Sequence, residues 1–124
     1  MNKVYLVEDS LPVLARLREL VTTTPGTELV GEANNASEAI EGILQARPDM
    51  VLMDLNLADG SGFDVLRSLQ PRLPEVEFFM LSNFAAFPYR QLAERLGAKD
   101  YFDKTKDFDR VRELVAQRAA ATTP

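Results

Sequence analysis

Three carboxylates, a hydroxyl and an ammonium follow apolar runs that lie far apart in this chain. Glu8 and Asp9 come straight after KVYLV, Asp54 after MVLM, Ser82 after FFML and Lys104 after KDYFD. If those runs are parallel strands, their carboxyl ends share one edge of a sheet and the five groups converge there. Carboxylates packed together repel, so such a cluster is costly unless a cation sits within it. The chain has no histidine and no cysteine, which leaves oxygen donors only. The natural occupant is a hard divalent cation, Mg²⁺ before Zn²⁺. A carboxylate held beside Mg²⁺ and a lysine is also a nucleophile suited to phosphorus. The metal and the ammonium neutralise phosphoryl oxygens, and a serine hydroxyl can bond a third. Asp54 fits that role best, because a strand holds it and the turn through Asp59, Gly60 and Gly62 exposes it. Taken singly, each residue has a plainer reading. Asp54 is a turn-former, Glu8-Asp9-Ser10 a cap for the first helix, Ser82 a small strand-end hydroxyl and Lys104 a solvated lysine. Their shared position favours a site.

The elements that must position these groups alternate along the chain. Residues 3–7, 28–33, 50–54, 76–82 and 99–104 read as strands. Between them, Val13, Leu14, Leu17, Leu20 and Val21 recur at helical spacing, as do Ala36, Ala39, Ile40, Ile43 and Leu44. Phe63, Leu66 and Leu69 predict a short helix ended by Pro71 and Pro74. FPYRQLAERLG (87–97) predicts another, stopped by Gly97, and Phe108, Val111, Leu114, Val115 and Ala119 a last one. The segment 121–124 reads as a frayed tail. Strict alternation calls for parallel pairing through right-handed crossovers, an α/β doubly wound five-stranded parallel sheet with helices on both faces. MVLM and FFML are apolar on successive residues, as strands covered on both sides must be. ELVGEA and KDYFDK are more polar and are expected at the edges. Alternation along the last strand predicts one of Tyr101 and Phe102 in the core and the other half exposed.

The whole chain, 1–124, reads as one domain, and its bulk properties exclude several classes. A net charge of −5 and a pI of about 4.7 argue against direct binding to nucleic acid, which needs a basic footprint. MNKVYLVED has too short an apolar core for a signal peptide, and no stretch approaches a membrane span. A cytoplasmic location without membrane contact is expected.

Four motifs carry a resemblance over essentially the entire chain: VEDS after the first strand, LMDLNLADGSGFDVL around the third, MLS ending the fourth and GAKDYFDK across the fifth. Together they resemble the receiver domain of bacterial two-component response regulators, the CheY-like, flavodoxin-like fold with strand order 2-1-3-4-5. The resemblance implies a phospho-accepting switch in a phosphorelay, a signalling domain and not an enzyme on other substrates. Asp54 would form an aspartyl phosphate with a phosphohistidine supplied by a histidine kinase or histidine phosphotransfer protein. Asp9 and Asp54 would bind Mg²⁺ directly, the carbonyl of Asn56 would be the third protein ligand, and Glu8 would act mainly through water. Lys104 would pair with the phosphoryl group, Ser82 would move to bond it, and Tyr101 would swing inward behind Ser82. The changed surface would be the fourth helix, fifth strand and fifth helix, read by an unknown downstream target or through a phosphorylation-dependent homodimer. Arg90, Arg95, Arg110, Arg112 and Arg118 lie among acids there, although scattered charges are usually just solvated.

This sequence departs from the family pattern in three places. Thr105 follows Lys104 where proline is usual, so a trans bond is expected. Asn83 replaces a smaller residue and narrows access to the phosphoryl group, and Phe84 stands where a polar residue is common. Phe84 and Asn56 are expected to tune how fast the phosphoryl group is lost. Other readings fit less well. A dehalogenase-type phosphatase needs an acid where Asn56 stands, and a flavodoxin-type carrier needs a phosphate loop where EDSLPVL is acidic. An unphosphorylated receiver-like interaction module remains the alternative. No effector domain follows residue 124, so a stand-alone or an excised receiver is expected.

Overall fold

In the computed structural model, which describes residues 1–83 and 87–121, five strands pair in parallel: β1 (Asn2–Val7), β2 (Thr27–Ala33), β3 (Met50–Asp54), β4 (Glu77–Ser82) and β5 (Asp100–Asp103). Their order is β2-β1-β3-β4-β5, as expected, with the two polar strands at the edges. Helices α1 (Leu11–Thr23), α2 (Ala36–Ala46), α3 (Gly62–Leu69) and α4 (Phe87–Arg95) form the crossovers, and α5 (Phe108–Ala121) follows the last strand. The tail expected at 121–124 lies, beyond Ala121, outside the described residues, as does Phe84.

Strand alternation divides one sheet between two cores. Tyr5, Val7, Val51, Met53, Phe78 and Met80 face α2 and α3 with Ile43, Leu66 and Leu69. Val4, Leu6, Met50, Leu52, Phe79 and Leu81 face α1 and α5 with Leu17, Val21, Val111 and Val115. Residues 50–53 are all fully buried, because each neighbour in the run serves a different layer. This explains an apolar run with no polar face.

The fifth strand corrects one expectation. Tyr101 and Phe102 are both buried, at 3% exposure each. The strand is at the sheet's edge but is covered on both faces. Tyr101 packs with Ala93 of α4, and Phe102 with Val111 and Val115 of α5. Edge position exposes a strand's hydrogen-bonding side, not its faces. The arginines of α5 are largely satisfied within the chain: Arg110 pairs with Asp100 and Asp107, Arg112 with Asp109, and Arg118 with Glu77.

Three helix starts near the sheet's carboxyl edge are set by different devices. Ser10 precedes α1 but makes no side-chain cap bond, and Pro12 occupies the first turn. Asn35 caps α2 by accepting from Glu38 N–H at 2.9 Å. Ser61 and Asp64 form a reciprocal capping box at α3.

Candidate acidic site at the carboxyl edge of the sheet

Parallel pairing brings the strand ends together as the sequence implied. Glu8 and Asp9 follow β1, Asp54 and Ser82 end β3 and β4, and Lys104 follows β5. Glu8 and Ser82 are fully buried, Asp54 is 2% exposed, and Asp9 is open to solvent. Lys104 Nζ lies 2.9 Å from Glu8 Oε2 and 3.0 Å from Asp54 Oδ1, so one ammonium bridges two buried carboxylates. Glu8 Oε2 also accepts the Ser10 N–H at 3.0 Å. The start of α1 is therefore tied down by Glu8 rather than by the Ser10 side chain.

The electrostatics are not balanced. Three carboxylates against one ammonium leave excess negative charge in a largely buried space. Burial, and then the charge of Glu8, push the Asp54 carboxyl up to about 7, against the opposing pull of Lys104. Burial disfavours the charged form of Lys104, but its bonds to Glu8 and Asp54 more than offset this and raise its pKa. Glu8 Oε1 is buried and has no hydrogen-bond partner among the described residues. One ligand oxygen from each of Glu8, Asp9 and Asp54 falls within a 4.8 Å span. An orphaned carboxylate oxygen, excess negative charge and an all-oxygen donor set fit a hard divalent cation such as Mg²⁺.

Asn56 stands two residues past Asp54 and donates its N–H to Asp54 Oδ1 at 3.3 Å. Ser82 and Tyr101 are both buried on neighbouring strands. Burial raises the Tyr101 phenol, with Ser82 and the Arg90 charge pulling it down. Arg90 of α4 donates to the Tyr101 carbonyl at 3.0 Å, and its guanidinium lies 5.2 Å from the ring centroid. Tyr101 is thus already packed inward. Asn83 is exposed. No peptide bond among the described residues is cis, so Lys104–Thr105 is trans as expected.

Residues 4–116 match the response regulator receiver domain family. The chain belongs to that family. It is 33% identical to the DNA-binding transcriptional activator DevR/DosR of Mycobacterium tuberculosis, covering 98% of this chain and 60% of that protein. It is 32% identical to the response regulator protein PilR of Pseudomonas aeruginosa, covering 99% of this chain and 27% of the other. Among solved structures, the receiver domain of AraT, a response regulator from Geobacillus stearothermophilus, superimposes with a TM-score of 0.84 at 29% identity. That match covers 98% of this chain and 95% of the other. A LuxR-family response regulator from Aurantimonas gives a TM-score of 0.87 at 25% identity, covering 96% and 85%. The chain spans 60% or less of the length of the first curated relatives it matches. Some relatives are named protein-glutamate methylesterases, of which the matching part is about a third. A receiver domain is itself a signalling unit.

This receiver domain contains supports that the sequence reading missed. Residues Asn56–Leu57 and Gly60–Ser61 pair as a two-residue antiparallel ribbon. The Asp59-Gly60 pair was the available signal for it. At its tip the Asp59 carboxylate accepts from the N–H groups of Ala36 at 2.5 Å and Ser37 at 3.2 Å and from Ser37 Oγ at 2.9 Å, clasping the start of α2. Those bonds hold Asp59 below the usual carboxylate range.

Gly62, the first residue of α3, is obligatory for packing reasons. A Cβ there would strike the carbonyl oxygen of Asp54 and lie 2.7 Å from Met80 Cε, while its N–H donates to the Leu55 carbonyl at 2.7 Å. Gly62→Ala is expected to cost ~1–3 kcal/mol through overpacking, read by urea unfolding. Because the obstructing atom is Asp54 backbone, relief must displace the strand end; an unchanged midpoint would show that the loop yields freely.

Proposed function

We propose that this receiver domain is a phospho-accepting switch of a two-component phosphorelay, with Asp54 as the acceptor. The observation that carries this reading is the bridging of Asp54 and Glu8 by Lys104 beside an orphaned Glu8 oxygen. It is an arrangement built to take in further positive charge and then a phosphoryl group.

Asp9, Asp54 and the carbonyl of Asn56 would hold Mg²⁺, with Glu8 acting mainly through water. When bound, the ion offsets negative charge on the phosphoryl oxygens. Asp54 attacks the phosphorus of a phosphohistidine on a histidine kinase or histidine phosphotransfer protein. An O–P bond forms, the N–P bond breaks, and the donor imidazole leaves with the electron pair and takes up a proton. Lys104 turns from the Asp54 carboxylate to the transferred oxygens, and Ser82 donates its hydroxyl to another. That movement of Ser82, which lies beside β5 in the sheet, couples the site to that strand. The surface of α4, β5 and α5 carries the result to a downstream target. The unit acts in the cytoplasm, consistent with the absence, among the described residues, of a helix long and apolar enough to cross a membrane.

Intact mass after incubation with acetyl phosphate tests this reading. One added phosphoryl group is expected, dependent on Mg²⁺ and absent in Asp54→Ala. If no mass is added and beryllofluoride also fails to bind, the domain serves as an interaction module without phosphorylation.

A further inference from the structure

We propose that Asp103 is a positioning residue for Lys104, its carboxylate building the turn from which the ammonium reaches Glu8 and Asp54. Lys104 lies just past the end of β5, held to the sheet by its own amide alone, and a long, flexible lysine side chain loses much rotamer freedom when it is fixed in place. A functional group of this kind must be held to about half an ångström. Something beyond that one bond has to set the backbone that follows it.

Asp103 is in position to do so. Its Oδ1 accepts from Thr105 N–H at 2.8 Å, Thr105 Oγ at 2.8 Å and Lys106 N–H at 3.0 Å. These three bonds curl the chain around Lys104. The Asp103 N–H donates to Asp107 Oδ2 at 2.8 Å, and the Asp103 carbonyl accepts from Asp107 N–H at 3.1 Å, which joins the turn to the start of α5. Lys104 N–H donates to the Ser82 carbonyl at 3.0 Å. Lys104 is therefore pinned to β4 at its own amide and closed from the far side by the Asp103 carboxylate. The donors around Asp103 hold its carboxyl at about 2, so its carboxylate is charged near neutral pH. The N–H that Thr105 contributes is one that a proline at this position would lack. A carboxylate-to-amide turn thus does locally what a rigid ring would otherwise do.

The role differs from simple loop stabilisation in one respect: its value depends on Lys104. A double-mutant cycle reads that dependence. At pH 6, Asp103→Ala is expected to raise the unfolding equilibrium constant about tenfold more when Lys104 is present than in Lys104→Met. Asp103→Asn, whose side-chain oxygen makes the same turn, is expected to restore most of the loss. Equal cost in both backgrounds would overturn the proposal. So would an asparagine variant as impaired as alanine, since that would make the effect one of charge alone. Beryllofluoride binding in saturating Mg²⁺ gives a second reading that needs no Lys104 variant. This reading rests on the phosphoryl site proposed above. Asp103→Ala should bind about tenfold more weakly and Asp103→Asn nearly normally; unchanged binding in Asp103→Ala overturns the positioning role. Failure of the wild-type protein to bind beryllofluoride would sink the phosphoryl site instead, and the stability cycle would still decide on Asp103.

Discussion

At pH 8 without Mg²⁺, Asp54→Asn is expected to be more stable than the wild-type domain by up to about 4 kcal/mol. Removing a charge that bridges to a lysine would ordinarily be expected to destabilise. Here burial and the charge of Glu8 outweigh Lys104, and the Asp54 carboxyl stands at about 7 instead of near its ordinary value of 3.8. About three pH units at about 1.4 kcal/mol each give the figure. The sign follows from proton counts. Between roughly pH 4 and 7 the native state holds a proton on Asp54 that the unfolded chain has lost, so wild-type stability falls as pH rises through that window. Below pH ~4 both states are protonated and the two proteins should unfold alike; above pH ~7 the full difference appears. Asparagine keeps the shape of the neutral acid and never ionises. Saturating Mg²⁺ should reverse the order, because only the wild-type carboxylate gains from the cation. Urea titrations at pH 4, 6 and 8, with and without Mg²⁺, measure all of this. A wild type that matches or exceeds the variant at pH 8 without metal would mean that Lys104 fully compensates the buried charge.

The layers of the fold were legible because the cause was local. MVLM and FFML can be apolar on successive residues only if helices cover both faces, and the polar composition of ELVGEA and KDYFDK marks strands with a free edge. The convergence of Glu8, Asp9, Asp54, Ser82 and Lys104 then follows from parallel pairing alone. Other features stayed hidden because they are long-range. Nothing in KDYFDK reveals that α4 and α5 would cover both faces of β5, and so Tyr101 and Phe102 were wrongly divided between core and surface. Asp59 and Asp103 look like ordinary loop acids. Their roles depend on which N–H groups the backbone turns toward them, at Ala36 and Ser37 in one case and at Thr105 and Lys106 in the other. Gly62 raises the same difficulty. Its neighbours in sequence suggest a turn glycine, whereas its constraint is the Asp54 carbonyl. Glu8 read as a residue acting on the metal through water. Its bonds to Lys104 and to the Ser10 N–H are a further role that VEDS does not announce.

That bond makes Lys104 the second large effect. Lys104→Met is expected to cost ~3–5 kcal/mol at pH 8 without Mg²⁺, the range for stranding a buried charge by removing its partner. Methionine nearly preserves the volume and flexible stem, so packing contributes little. What is lost is the only ammonium beside Glu8 and Asp54 among the described residues, at 2.9 and 3.0 Å. The Lys104 side chain is 8% exposed and those of its partners 3% or less, so water cannot take its place cheaply. The penalty should shrink toward pH 5, because the Asp54 carboxyl, already raised to about 7, can then take up a proton and become neutral. This is the opposite of a simple loss of packing, which would not depend on pH. Mg²⁺ should bind the variant more tightly than the wild type, since the site has lost a competing cation and gained net negative charge. If Asp54 is the acceptor proposed above, the variant should nevertheless fail to hold a phosphoryl group, because the ammonium that would pair with its oxygens is gone. Unfolding at pH 5 and 8 and a calorimetric Mg²⁺ titration separate these effects. A loss equal at both pH values, or weaker Mg²⁺ binding, would show that Lys104 serves as a packing element rather than as the counter-charge of the acidic pair. Adding Asp54→Asn to Lys104→Met removes one of the two stranded charges, and should recover a large part of the lost stability for the same reason that it stabilises the wild-type domain.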